Sequence, residues 1–473
     1  MNEDVRSAQE KALEINLDAA RFGTFAEIGA GQEVARWFFH VGKASSTVAK
    51  SISAYDKGVS DALYGATTQF VCRARLEAML DREYGQLIAQ LEAKRGANTA
   101  FFVFADTVAT HGSLRSSGGH GWLGVRFQDR PGAQPSEVII HIEMLDAFTA
   151  SQQETVGLAG VNLIYGAYAC LRDPVELIKS LMDGLDRRRI EIDLIKFSGP
   201  VFQGVDNRLM SLQLVELGLT DVAMFLADGE VVQPSEVLHN RPVLIERGSF
   251  RPVTHVTLSM LDAALDQHRQ DPGGAPEEPA VVMEMTLNNL MSGPNVIDHQ
   301  DFLARAGILG ALDKTVMISN YTLFDRVTTY LRQYTQTWIG MVVGIPTLRA
   351  IFEEKYYEEL QGGILEGLGR LFRGPVTLFA YPTLGESGEL RTAEKIDISS
   401  KLSHLYAYLF ENGFIEPVRK FSHEQLDINP GEVLKRIQAG DKTWENFVPA
   451  TAAALIERDG LFGLGKGSDN PQS

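Results

Sequence analysis

Two textures alternate along the chain. Apolar residues fall at helical spacing in Gln32–His40 (QEVARWFFH) and across Arg73–Lys94, the repeat that puts one apolar stripe on an amphipathic helix. From about residue 96 the pattern changes to short β-branched and aromatic runs: Ala100–Ala105 (AFFVFA), Trp122–Phe127 (WLGVRF), Val138–Ile142 (VIIHI) and Ile190–Ile195 (IEIDLI), with a helical stretch at Pro174–Arg187. A second series of runs begins at Pro242–Arg247 (PVLIER), continues through Val281–Thr286 and Thr315–Ser319, and returns at Val376–Ala380. Strand-like runs alternating with helical ones predict an α/β fold. The pattern predicts four regions: 1–95 mainly helical, 96–235 α/β, 236–395 α/β, and 396–473 helical with a loose Gly-rich tail from Gly460. Asp271–Pro279 (DPGGAPEEP) reads as a polar loop, and no internal repeat is visible.

Length supports this division, since 473 residues exceed what one hydrophobic core usually serves. The charge narrows the partners. Sixty-one acidic against 44 basic residues leave a net charge of −17, the wrong sign for a general nucleic-acid binder or for adhesion to anionic membrane. The apolar stretches Val156–Leu171 and Trp338–Phe352 are too short to span a bilayer, and the second holds Pro346 and Arg349. Two cysteines, Cys72 and Cys170, cannot build a disulfide framework. The N-terminal residues are polar and acidic, without the regions of a signal peptide. The expectation is a cytoplasmic protein with no nucleic-acid or membrane partner, whose self-association is left open.

One segment carries chemistry. In 242–261 (PVLIERGSFRPVTHVTLSML) an apolar strand runs into Gly248-Ser249-Phe250, a tight turn holds Pro252, and a helix begins near Thr254. A strand, a glycine that admits close approach and a helix N-terminus together suit a phosphate group. This run resembles the nucleotidyltransferase superfamily, and most closely the nicotinamide/nicotinate mononucleotide adenylyltransferases, whose first strand ends in a GSFxPxTxxHL-type sequence. Gly248, Ser249, Phe250, Pro252, Thr254 and Leu258 match it. The resemblance implies a Rossmann-like nucleotidyltransferase domain in the C-terminal half, a small-molecule nucleotide as ligand, and ATP with Mg²⁺ as substrate. It implies phosphate contacts from Gly248, Ser249 and Phe250, with Arg251, Thr254 and Thr257 at the triphosphate. The family's final motif histidine is Thr257 here, and His255 lies on another side of the helix. A second phosphate motif has a degenerate counterpart at Ile398–His404, which brings in Ser399 and Ser400. The whole chain is also similar, through GTFAEIGAGQEVARWFF and ADGEVVQPSEVL, to a bacterial group whose members carry inherited names such as nicotinate-nucleotide adenylyltransferase and TonB-dependent receptor. The receptor name conflicts with the polar N-terminus.

Other constellations are weaker. Glu27-Ile28-Gly29-Ala30-Gly31 with Asp56 resembles the first motif of S-adenosylmethionine-dependent methyltransferases, but the preceding LDAARFGTFA reads as too polar for a buried central strand. Asp106, His111 and His120 follow no standard metal-ligand spacing, so no metal site is assigned. Asp206-Asn207-Arg208 reads as a polar loop, and Glu353, Glu354, Glu358 and Glu359 as a solvated helix face. No GxSxG, GxxxxGK[ST], HExxH or CxxC occurs. The expected function is adenylyl transfer to nicotinate mononucleotide or a related mononucleotide. The alternative is a non-catalytic scaffold that retains the fold, with a methyltransferase as a minor third.

Overall fold

A six-stranded and an eight-stranded sheet organise the chain, one in each of two units that divide between Asp221 and Val222. The structure is a computed structural model, and it describes residues 6–465 except 31, 68, 111–117, 271–276, 295 and 386.

The first sheet is mixed. Its strands are β1 (Arg21–Ile28), β2 (Val48–Ser53), β3 (Ala100–Ala109), β4 (Gly119–Phe127), β5 (Ser136–Met144) and β6 (Ile190–Ser198), in the order β2-β1-β3-β4-β5-β6. β1 runs parallel to both β2 and β3, and β3 through β6 are antiparallel neighbours. Helices α1 (Ala8–Leu17), α2 (Glu33–His40) and α4 (Thr149–Ala169) contribute to one core, where Ile15, Val34, Phe38, Val156 and Ile164 join Phe25, Phe104, Leu123 and Val138 from the strands. Gly160 makes this approach close: a Cβ there would stand 2.3 Å from Val34 and 3.0 Å from Phe104. The opposite face carries α3 (Arg73–Arg95), whose Leu76 and Leu80 reach the bare backbone of Gly124.

Residues 1–95 are therefore not a region of their own, because they supply β1 and β2. The polar-looking LDAARFGTFA also proves misleading, since β1 is buried from Phe22 to Ile28 with a strand on each side. Its one acid inside the sheet, Glu27, is tolerated because its carboxylate accepts the N–H groups of Val34 (2.8 Å) and Ala35 (3.2 Å) in the first turn of α2.

The second sheet contains β7 (Val222–Phe225), β8 (Val231–Val232), β9 (Val243–Arg247), β10 (Ala280–Thr286), β11 (Thr315–Ser319), β12 (Ile339–Gly344), β13 (Val376–Tyr381) and β14 (Ile415–Pro417). Their order is β14-β13-β12-β9-β10-β11-β7-β8, with β9 to β14 parallel and β7 and β8 forming an antiparallel edge. Counted from β9 as first strand, the parallel order is 6-5-4-1-2-3, which is that of the doubly wound dinucleotide-type sheet. The chain leaves β9 through α5 (His255–Gln270) to β10 and through α6 (His299–Ala311) to β11. It then crosses through α7 (Phe324–Leu331) to β12 on the other side of β9. Val243 and Ile245 of β9 pack with Val327, Leu331, Leu348 and Leu368 from the later helices. The segment after residue 395 holds helices Ser403–Glu411, Pro430–Ala439 and Ala450–Asp459, but it also supplies the edge strand β14. Most of the Asp271–Pro279 loop and the tail after Gly465 lie outside the described residues.

Candidate functional site

A doubly wound sheet opens a crevice where its strand order reverses, at the C-terminal ends of the first and fourth strands. Here that place lies between β9 and β12. Gly248-Ser249-Phe250 leaves β9 at this point. The Gly248 N–H donates to the Glu284 carbonyl of β10 at 3.1 Å, which ties the turn to the sheet. Phe250 is in the left-handed region (φ 49°), and its side chain is buried. Its ring folds over Gly248, so that a Cβ on that glycine would stand 2.8 Å from it. The Arg251–Pro252 peptide is cis, and α5 begins three residues later at His255.

The structure brings Thr254 and Thr257 together. Their hydroxyls are 3.3 Å apart, Thr254 is 0% exposed and Thr257 is 7% exposed. Ser249 is exposed, and its carbonyl accepts from Arg305 Nη1 at 3.1 Å. Arg251 is committed to Asp301: Nε donates to Oδ1 at 2.7 Å, with 31% of the Arg251 side chain exposed. The other oxygen of Asp301 takes Nε of Arg305 at 2.6 Å, and Arg305 Nη1 also reaches the Asn289 carbonyl at 2.7 Å. Ser399 and Ser400 are exposed. Ser399 lines a cleft of about 460 Å³ with Arg349, Phe352, Lys355 and Asp397, and none of residues 248–257 lines that cleft.

Several polar groups at this end of the sheet escaped the sequence reading. Arg247 pairs with Glu284 through two 2.9 Å hydrogen bonds, and Ser319 donates to Glu284 at 2.6 Å. One buried network thus links the ends of β9, β10 and β11. The signal was present as charges inside otherwise apolar runs, Glu246 and Arg247 in PVLIER and Glu284 in VVMEMT. Glu246 is buried with Oε2 unpartnered. Burial pushes its carboxyl well above the usual carboxylate range, and the charge of Lys314 offsets this only in part.

Elsewhere, Asp56 caps the helix Lys57–Tyr64 by accepting from Val59 N–H, so it does not stand free for a ribose. Glu27 occupies the N-terminus of α2, where the methyltransferase-like motif would need room for its cofactor. Gly31 and His111 lie outside the described residues. Among the described residues no three His, Cys, Asp or Glu side chains are grouped as a metal site, and no helix is long and apolar enough to cross a membrane.

No protein-family profile and no curated protein matches the chain. Among solved structures, the competence/damage inducible protein CihA from Agrobacterium tumefaciens is similar at 14% identity, over 33% of this chain and 93% of its own, with a TM-score of 0.25. A competence-damaged protein (CinA) superfamily member from Enterobacter cloacae gives 12% identity, 35% and 95% coverage, and a TM-score of 0.26. A competence or damage-inducible protein from Enterobacter asburiae gives 12%, 34%, 98% and 0.25. Likenesses of that depth assign neither a family nor an activity to this chain.

Proposed function

We infer that the second unit binds a nucleotide at the β9–β12 crevice and acts as a nucleotidyltransferase-like domain. Its proposed reaction is adenylyl transfer from ATP to nicotinate mononucleotide or a related mononucleotide. The observation that carries this reading is the placement of Gly248-Ser249-Phe250: the loop leaves the first parallel strand at the switch point and leads into α5. In the reaction the acceptor phosphate forms a bond to the α-phosphorus of ATP, the α–β bridging bond breaks, and pyrophosphate leaves. The chain contributes position and charge stabilisation. The Gly248 N–H is held by the Glu284 carbonyl, so backbone N–H groups of Ser249, Phe250 and the first turn of α5 would hold phosphate oxygens. Thr257 can donate one neutral hydrogen bond. Magnesium would supply charge neutralisation. The carboxylates of Glu284 and Asp301 are already paired with arginines, so the ion would enter on the nucleotide's own phosphates.

A non-catalytic scaffold that keeps the fold is the second reading. It is favoured by the full burial of Thr254 and by the closed Arg251–Asp301 pair. Pyrophosphate release from ATP with nicotinate mononucleotide separates the two. The transferase reading expects slow release from the native chain. It also expects a gain on the order of 10²-fold in Thr257→His, which restores a donor able to carry charge. Release no faster than buffer from both proteins would leave the scaffold.

A further inference from the structure

The first sheet carries a polar constellation that this reading does not use. His120 lies on β4, His141 and Glu143 on β5, and Asp193 on β6, with His120 opposite Glu143 in register. Between β5 and β6 the register slips: His141 pairs with Leu194 and Ile142 with Ile192, which leaves Asp193 as the extra residue of a bulge. Bulges re-aim side chains, and this one sets Asp193 Oδ1 2.6 Å from His141 Nδ1. His141 Nε2 is 3.3 Å from His120 Nδ1. His141 and Asp193 are buried, Trp122 packs 4.8 Å from the His141 ring, and His120 is partly exposed.

The chemistry of this chain of groups fixes its direction. An ionised Asp193 can only accept, so His141 donates through Nδ1–H, and in its neutral form it presents a bare Nε2. His120 then donates its own Nδ1–H to that atom, and its Nε2 keeps a lone pair. A buried Asp–His couple is costlier to fold than apolar residues of the same volume, and here it ends on an imidazole that solvent can reach. We propose that Asp193, His141 and His120 form a proton relay whose accepting end is His120 Nε2, built to serve a ligand that presents a hydroxyl group. On transfer the hydroxyl proton moves to Nε2 and the ligand oxygen keeps the electron pair. The imidazolium charge is shared through the hydrogen bond to His141 and countered by Asp193. Burial, and then His141, hold His120 down to about 4, so it is unprotonated at physiological pH, while Asp193 acts in the opposite direction. Burial, followed by Asp193 and Glu191, pushes the neighbouring Glu143 carboxyl up to about 7, against the pull of His141.

The test is an NMR titration of His120 in the full-length chain, for the native protein, Asp193→Asn, His141→Gln and the double variant. The relay requires Asp193→Asn to lower the apparent His120 pKa by about one unit, and to have no such effect once His141 is Gln. An unchanged His120 in Asp193→Asn, or the same fall with and without His141, overturns it. A second measurement needs no variant: ¹⁵N shifts of native His120 must show a protonated Nδ1 and a bare Nε2. The opposite tautomer contradicts the relay.

Discussion

Two groups of buried acids, one in each unit, are treated in opposite ways. In the second, Glu284 of β10 and Asp301 of α6 each meet a cation: Glu284 takes Arg247, and Asp301 takes both Arg251 and Arg305. In the first, Glu27 and Asp106 stand in register on neighbouring parallel strands. Glu27 has the α2 N-terminus, while both oxygens of Asp106 are buried without a side-chain partner, and only the backbone of Ile28 works against their burial. Burial, together with the adjacent Glu27, pushes Asp106 well above the carboxylate range, and burial holds Glu27 up to about 7. Compensated charges rigidify a framework, whereas an uncompensated acidic pair costs stability. The loop after β9 is held by the first arrangement, and the first sheet tolerates the second.

The comparison breaks most visibly at Arg305. Its side chain is 2% exposed and serves Asp301, the Ser249 carbonyl and the Asn289 carbonyl. Arg305→Ala should lower the stability of the second unit by about 3–5 kcal/mol, the usual cost of stranding a buried partner, read from its urea unfolding midpoint. A loss below about 1 kcal/mol would show that the network carries little.

Asp106→Asn sharpens the other side, and its sign is reversed. In the unfolded chain Asp106 ionises near the ordinary value of about 4, while in the folded chain it does so only at higher pH. The native protein therefore loses stability as pH rises from about 4 toward the folded value. Asparagine does not ionise, so the variant should match the native chain near pH 4 and melt a few °C higher at pH 8, on the order of 2–4 °C. A gain independent of pH would remove the shared-charge explanation.

The smallest effect belongs to Arg251→Ala. This residue is about one-third exposed, and Asp301 keeps Arg305 when it is gone. The expected cost is at most about 1 kcal/mol. A loss as large as that of Arg305→Ala would mean the two arginines act as one unit.

Much of the second sheet was legible, because buried parallel strands read as continuous apolar runs. Thr315–Ser319 is a strand over the same residues, and PVLIER differs from Val243–Arg247 by one. The helix expected over Arg73–Lys94 spans Arg73–Arg95. Pro174–Arg187 was read too long, since the helix stops at Ser180 ahead of Gly184. Arg21–Ile28 was missed because its glycine, threonine and glutamate dilute the apolar signal. The structure explains two of them: Gly23 gives way to the Phe102 ring, and Glu27 is satisfied by α2. At the candidate site, the loop and both threonines were visible in the sequence. The pairing of Arg251 with Asp301, 50 residues away, was not, because no local pattern records which long-range partner a charge will find.

Calorimetric titration of ATP–Mg²⁺ into the full-length chain reads the proposed nucleotide site after β9 without an assumption about the reaction. Gly248→Val is the companion, since its side chain would collide with the Phe250 ring and displace the loop. Saturable binding at one site is expected in the native chain, and its loss is expected in a Gly248→Val protein that still melts cooperatively. No binding heat at millimolar ATP, or binding equal in both proteins, would contradict that site.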